Sequence, residues 1–121
     1  MKRLSIGIIL SVFLLGCGQS AAPKVTGVWQ TEPIDSEWGT NIITLTLSPD
    51  GSAVQQNHFV EENERITLVG VHSVQGDLLV CTFRDPDGHS TFDVTSKIKE
   101  LTQSALTIAM DDEVYRFTRK D

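Results

Sequence analysis

Cysteine and histidine are the residue types in this chain with the chemistry to attack a substrate or to hold a metal. The sequence has two cysteines, Cys17 and Cys81, and three histidines, His58, His72 and His89. A Cys–His pair can supply a thiolate nucleophile, and His and Cys side chains together can bind zinc. The histidines show no paired spacing, so we expect them at surface or core positions and predict no metal site. An enzyme that uses His72 and Cys81 is one hypothesis.

Carboxylates near the predicted turns are the other candidates for chemistry. Asp85 and Asp87 match part of a calcium-binding loop, but the remaining oxygen ligands of that motif are absent, and a turn explains both residues. Glu61, Glu62 and Glu64 follow a predicted strand and are expected in a solvated loop. The sequence has no phosphate-binding glycine loop and no nucleophile elbow. We therefore predict a non-enzymatic protein with no catalytic residue and no cofactor.

The chain begins with a pattern that is typical of secretion signals. Met1-Lys2-Arg3 is basic, and Leu4–Leu15 is almost wholly apolar. As a helix this stretch would reach about 18 Å, well short of the ~30 Å hydrocarbon core of a membrane. Leu14-Leu15-Gly16-Cys17 follows and resembles the lipobox of bacterial lipoproteins. The resemblance implies cleavage after Gly16 and attachment of lipid, with fatty acyl chains such as palmitate, to Cys17.

This resemblance divides the chain into a signal peptide (1–16), a lipidated tether (17–24) and one domain (25–121). Gly18 follows the lipidated cysteine in place of the aspartate that retains enteric lipoproteins at the inner membrane. We therefore expect a lipid-anchored protein of the cell envelope, at the outer membrane if the organism has one. Without the signal, eight basic side chains oppose 16 acidic ones. This excess of acid disfavours nucleic acid as a partner, and it leaves the lipid as the means of membrane attachment.

The rest of the chain is a series of short β-rich segments separated by turn residues, and it shows no helical periodicity. The pattern predicts an all-β fold, an antiparallel up-and-down barrel of about eight strands, with a β-sandwich as the alternative. The predicted strands are Val25–Thr31, Asn41–Leu47, Ser52–Val60, Arg65–Val74, Leu78–Arg84, His89–Lys99, Ser104–Met110 and Val114–Arg119.

Three turns are specific enough to predict backbone geometry. Pro-Asp-Gly occurs twice, and each glycine, Gly51 and Gly88, is expected at positive φ. The Gly76-Asp77 turn fixes a hairpin register in which Gly70 pairs with Phe83, and we expect Phe83 to cover the gap at that glycine. The same register places His72 opposite Cys81 on the inward face, with Leu68, Val74 and Leu79. The outward face of this hairpin is unusually apolar, with Val69, Val71, Leu78 and Val80.

Gly27-Val28-Trp29 at the start of the first strand resembles the Gly-x-Trp signature of the lipocalin and fatty-acid-binding-protein superfamily. In that family the tryptophan closes one end of the barrel and an arginine of the last strand packs across it. The resemblance implies that Trp29 is the closing residue and that Arg116 or Arg119 makes the contact. It also implies a fold that binds a small apolar molecule or a lipid.

Two functional hypotheses therefore lead, and the interior of the barrel bears on the choice between them. One is capture of a small apolar molecule inside the barrel, and the other is a protein-interaction or structural role for the apolar outward face.

Trp38 lies in the Glu32–Thr40 loop, where it could act as a lid or only pack. Cys81 has no disulfide partner once Cys17 is lipidated. We expect a mostly filled core with a small apolar recess, because the predicted inward residues are large: Ile43, Leu45, Leu47, Leu68, Leu79, Phe83, Phe92, Ile98, Leu106 and Ile108.

Overall fold

The computed structural model describes residues 24–37 and 39–121, and these form nine strands. The predicted signal peptide, Cys17, most of the predicted tether and Trp38 lie outside the described residues. Across the described ranges no helix is long and apolar enough to span a membrane. The strands are β1 (Gly27–Thr31), β2 (Ile34–Ser36), β3 (Gly39–Leu47), β4 (Ser52–Phe59), β5 (Glu64–Gln75), β6 (Leu78–Arg84), β7 (Thr91–Leu101), β8 (Ala105–Met110) and β9 (Glu113–Arg119).

Eight of these strands close into an antiparallel barrel. From β3 to β9 each strand pairs with the next one along the chain, and β1 joins the two ends of the sheet. One side of β1 pairs with Phe117–Arg119 of β9, and the other side pairs with Thr44–Leu47 of β3. Closure gives every strand a partner along at least part of its length, which removes most exposed sheet edges. The predicted up-and-down barrel is confirmed, and the sandwich alternative is wrong.

The ninth strand, β2, corrects the predicted Glu32–Thr40 loop. Ile34–Ser36 pairs with Gly39–Asn41, which extends β3 beyond the part that pairs with β1. The sequence gives little sign of this strand, because it is three residues long and only Ile34 is apolar. Pro33 lacks an N–H group and separates the segment from β1. The result is a small two-stranded flap at one end of the barrel.

The turn chemistry sets the register as predicted. Gly51 and Gly88 have φ of 95° and 79°, and Gly76 has φ of 66°. The N–H of Gly51 donates to the carbonyl of Ser48 at 3.0 Å, which closes the first Pro-Asp-Gly turn. All six predicted pairs of the β5–β6 hairpin are present, from Gly70 with Phe83 to Gln75 with Leu78. A two-residue turn leaves no freedom to slip, so the inward face follows from the sequence alone.

Most of the predicted inward residues form the core, but the ends of the barrel depart from the prediction. Phe92 lies on the inward face beside Phe83, yet 37% of it is exposed, and Val74 is 45% exposed. Alternation of apolar and polar residues predicts which face of the sheet a side chain lies on, but not how far along the barrel axis it lies. Both residues lie near strand ends, so they are exposed although they face inward. The buried apolar core consists of Trp29, Leu45, Leu47, Ala53, Leu79, Cys81, Phe83, Leu106, Ile108 and Phe117.

The outward face of the β5–β6 hairpin is apolar and open to solvent. Val69 and Val71 are more than half exposed, Leu78 is 38% exposed, and Val80 is half-buried. We call these four residues the outer apolar face. A contiguous apolar surface of this kind is a candidate contact site for another molecule.

Candidate functional site

The end of the barrel where β1 begins is closed by Trp29 and Arg119. Trp29 is fully buried, and its indole N–H donates to the carbonyl of Val25 at 2.8 Å. The guanidinium carbon of Arg119 lies 4.2 Å from the centre of the indole ring, within cation–π distance. Of the two arginines that the sequence offered for this contact, Arg119 makes it. Arg116 is exposed and lies on the opposite face of β9.

Arg119 also fastens the start of the described chain to the barrel. Its side chain donates to the carbonyls of Thr26 at 2.8 Å and Lys24 at 3.1 Å, and to that of Gln103. Gly27 has a φ of 141°, and a Cβ there would overlap the Arg119 guanidinium. The glycine of Gly27-Val28-Trp29 therefore leaves the space through which Arg119 reaches these carbonyls. The closed end of the barrel and the segment from Lys24 to Gly27 form one hydrogen-bonded unit.

A cavity of about 310 Å³ occupies the opposite end of the barrel. This volume lies at the lower end of the ~300–1,000 Å³ range of small-molecule sites. Its base is part of the buried core, and its mouth is formed by the β2 flap, the start of β3 and the β8–β9 turn. The base is lined by Leu45, Leu79, Cys81, Phe83, Ile108 and Phe117.

Polar side chains on inward positions account for the open space. Gln55 and Asn57 follow buried Ala53 in the same phase of β4, and Gln55 donates to the Asn57 oxygen at 3.2 Å. Asn41 of β3 also lines the cavity, and its side-chain oxygen is buried without a hydrogen-bond partner in the described part of the chain. Amides of this kind do not fill space as leucine or isoleucine does. The prediction of a mostly filled core rested on β3 and β5–β8 and overlooked the inward amides of β4 and the start of β3.

A groove through the barrel wall adjoins the cavity. β9 pairs with β1 only from Phe117 onward, so among the described residues Glu113–Arg116 face no strand on that side. The groove between this edge and the β2 flap has a volume of about 460 Å³. Ile34, Glu113 and Tyr115 line both spaces, so the groove and the cavity meet at these side chains. The cavity therefore has an end opening and a side opening next to each other.

Tyr115 and Glu113 form a hydrogen-bonded pair at that junction. The Tyr115 hydroxyl donates to the Glu113 carboxylate at 2.7 Å. This hydrogen bond, together with partial burial and the nearby negative charge, raises the pKa of Tyr115 to about 12. The hydroxyl therefore keeps its proton at physiological pH, and that proton is directed to Glu113.

Cys81 and His72 are cross-strand neighbours, but their surroundings do not activate the thiol. Burial raises the pKa of the Cys81 thiol to about 11. A cysteine nucleophile needs the opposite shift, because the thiolate is the reactive form. The His72 Nδ1 lies 3.0 Å from the carbonyl oxygen of Ser52, so the ring has a backbone partner. This arrangement favours a packing role for Cys81.

Three of the remaining candidates have structural partners, whereas the buried Nε2 of His58 has no hydrogen-bond partner among the described residues. Asp85 and Asp87 accept backbone hydrogen bonds within their own turn. Glu61 is exposed in the β4–β5 turn, as expected, and both its oxygens accept hydrogen bonds from Thr40, at 2.7 and 2.9 Å. These bonds hold the pKa of Glu61 below its ordinary value and fasten the β4–β5 turn to the start of β3. No group of three or more His, Cys, Asp and Glu side chains within residues 24–37 and 39–121 is placed to hold a metal.

Comparison with solved structures shows the fold. A lipocalin-like protein from Bacteroides uniformis superposes with a TM-score of 0.58 at 15% sequence identity, covering 79% of this chain and 98% of the other. An uncharacterized protein from Bacteroides eggerthii gives a TM-score of 0.57 at 16% identity, covering 80% and 100%. No protein-family model matches the sequence, and no curated protein matches it significantly. At this level of identity the likeness establishes a lipocalin-like fold for the domain.

Proposed function

We propose that this protein is a membrane-tethered binding protein that holds a small, mostly apolar molecule inside its barrel. The observation that carries the proposal is the cavity of about 310 Å³, with a base of buried apolar side chains and polar groups at its mouth. Sites for small molecules typically combine an apolar body with a few polar groups that orient the ligand. The lipocalin-like fold of the domain supports the same function.

The two ends of the barrel support a tethered arrangement. Lys24 and Thr26 are held at the closed end by Arg119, whereas the mouth lies at the other end beside the β2 flap. The chain from Cys17 to Lys24 can extend at most about 25 Å. An anchor at Cys17 would therefore keep the closed end near the membrane and leave the mouth facing the aqueous compartment. We place the protein in the cell envelope, at the outer membrane where one exists.

A cavity-filling substitution tests the binding site. The titration uses a form of the protein without the anchor, which starts at residue 18. The probe is N-phenylnaphthylamine, a neutral apolar dye that fluoresces when it is removed from water. Val94 lines the cavity, whereas Val69 is 54% exposed on the outer apolar face. We expect Val94→Trp to weaken dye binding by roughly tenfold or more, because the indole occupies the space of the ligand. Val69→Trp is the matched control and should bind like the parent protein.

A second cavity variant and two contrary results complete this test. Met110→Trp fills the cavity from β8, so it keeps the test valid if Val94→Trp does not fold, as judged by circular dichroism. Dye binding that survives both cavity substitutions would contradict the proposal. Binding that is lost in Val69→Trp alone would place the site on the outside of the barrel.

The exposure of the outer apolar face favours a second function, in protein interaction or envelope structure. Val69 and Val71 lie side by side along β5 with more than half of each exposed, which is costly unless the surface meets a partner. In this case native mass spectrometry of the soluble chain should show a dimer or a retained partner. Val71→Lys should then abolish that species and leave dye binding unchanged.

Attachment to the membrane has its own test. In a bacterial host that processes lipoproteins, Cys17→Ser should abolish incorporation of labelled palmitate and leave an uncleaved precursor. Cys81→Ser is the matched control and should be labelled and processed normally. Palmitate labelling that persists in Cys17→Ser would overturn the anchor without affecting the binding site.

A further inference from the structure

We propose that the cavity prefers ligands whose polar end is a cation or a neutral hydroxyl over ligands that end in a carboxylate. This inference rests on the proposed function, since it specifies the ligand of the same cavity. It predicts that amines and alcohols bind more tightly than fatty acids of the same chain length.

The charges at the mouth are the first observation. Among the described residues that line the cavity, Asp35 and Glu113 are acidic, and none is Lys, Arg or His. A carboxylate that entered would lose its hydration, meet two like charges and find no cation to pair with. Arg116 lines the neighbouring groove, but it lies on the outer face of β9 and is exposed.

The hydrogen-bonding groups point the same way. The buried oxygen of Asn41 accepts no hydrogen bond from any residue that the structure describes, so a hydroxyl or ammonium group of a ligand can donate to it. Glu113 already accepts a hydrogen bond from the Tyr115 hydroxyl on one oxygen. Its other oxygen is left as an acceptor, and Tyr115 is not available as a donor to the ligand. Asp35 accepts from the Thr40 hydroxyl at 3.3 Å. The mouth is thus rich in acceptors, which an ammonium or hydroxyl group can satisfy.

The amides of the cavity allow a neutral polar group as well. Gln55 donates to Asn57, which leaves the Asn57 amide N–H groups available to a hydroxyl oxygen. Ser96 is buried and lies within 3.5 Å of the Leu79 carbonyl, so its proton has a backbone acceptor. A hydroxyl can both donate to Asn41 and accept from Asn57, whereas an ammonium ion can only donate. Amines gain their advantage over alcohols from the charges of Asp35 and Glu113.

Three ligands with the same chain and different head groups test the inference. Decylamine, decanol and decanoate are titrated against bound N-phenylnaphthylamine at pH 7 and low ionic strength. We expect decylamine to displace the dye at a roughly tenfold lower concentration than decanoate, with decanol between them. Asp35→Asn and Glu113→Gln remove one charge each and keep an oxygen acceptor. Each should therefore reduce the ratio between the decanoate and decylamine concentrations that displace the dye. Asp112→Asn, a charge removed from the neighbouring turn outside the cavity, is the matched control and should leave it unchanged.

The outcomes separate this inference from the proposed function. Decanoate that competes as well as decylamine, or a ratio unchanged in both Asp35→Asn and Glu113→Gln, overturns the head-group preference while dye binding still supports a cavity site. Dye that does not bind the parent protein overturns the proposed function itself. Decylamine titrated directly into Val94→Trp by calorimetry should show no saturable binding, and binding that persists in that variant would mean adsorption to the acidic surface, which also overturns the preference.

Discussion

Replacing Trp29 with alanine should lower the free energy of unfolding by about 3–5 kcal/mol, as is typical when a large buried aromatic is removed. Trp29 is fully buried and is the largest side chain of the core. Its loss would also leave the Val25 carbonyl without the indole N–H and Arg119 without the ring that it covers. The barrel seam passes through this residue, because Trp29 pairs with Arg119 on one side and Leu45 on the other.

Phe92→Ala is the matched control for this measurement, which is made by chemical denaturation. Phe92 is also aromatic and faces inward, but 37% of it is exposed at the far end of the barrel. Its removal should cost about 1 kcal/mol, since less apolar area is lost from the core. Equal losses for the two variants would mean that the closed end contributes no more to stability than the open rim.

The barrel could be predicted from the sequence because local signals agreed with each other. The glycine turns fixed where strands reverse, and strict alternation within β7 and β8 fixed which side chains face inward. The Gly76-Asp77 turn is enough to predict that Gly70 pairs with Phe83, as it does in the structure. β2 was missed because three residues after a proline contain no alternation to detect.

The cavity was harder to predict than the fold, since it depends on height along the barrel. Phe92 and Val74 are on the predicted face and still exposed, because pairing patterns do not state where the barrel ends. One signal was available: Gln55 and Asn57 share the phase of Ala53, and polar residues in an inward phase of a barrel strand indicate space or a ligand. The side groove depends on how short β1 is relative to β9, which no local pattern encodes.

The two ends of the barrel differ in what they contribute: the end closed by Trp29 contributes stability, and the opposite end contains the cavity. Arg119 and Trp29 concentrate buried contacts at one end, where the chain enters. Gln55, Asn57 and Asn41 leave the other end less tightly packed, and the buried Asn41 oxygen, which no described residue satisfies, can accept a hydrogen bond from a bound molecule. A fold that is stabilised at its closed end can keep such polar groups at its mouth for a ligand.

Gly70→Ala should be at least as destabilising as the larger core truncations, at about 3 kcal/mol or more. A Cβ at this position would overlap the Thr82 carbonyl oxygen and come within 2.8 Å of the Phe83 Cα. Both are backbone atoms of the adjacent strand, so neither can rotate away. The β6 backbone therefore explains why this position is glycine, and covering of Gly70 by the Phe83 ring stays a prediction. Alanine would force β5 and β6 apart and weaken their hydrogen bonds.

Gly88→Ala distinguishes this close approach from the ordinary cost of losing a glycine. Gly88 has positive φ, but a Cβ there would meet nothing within 4 Å, so only backbone strain of about 1–2 kcal/mol is expected. Denaturation of both variants, with hydrogen exchange of the β5–β6 amides, compares the two effects. The Gly70 variant should lose protection at Val71 and Thr82, and the Gly88 variant should not. A Gly70→Ala loss no greater than that of Gly88→Ala would show that β6 can move aside, and that the hairpin carrying the outer apolar face is not rigidly held.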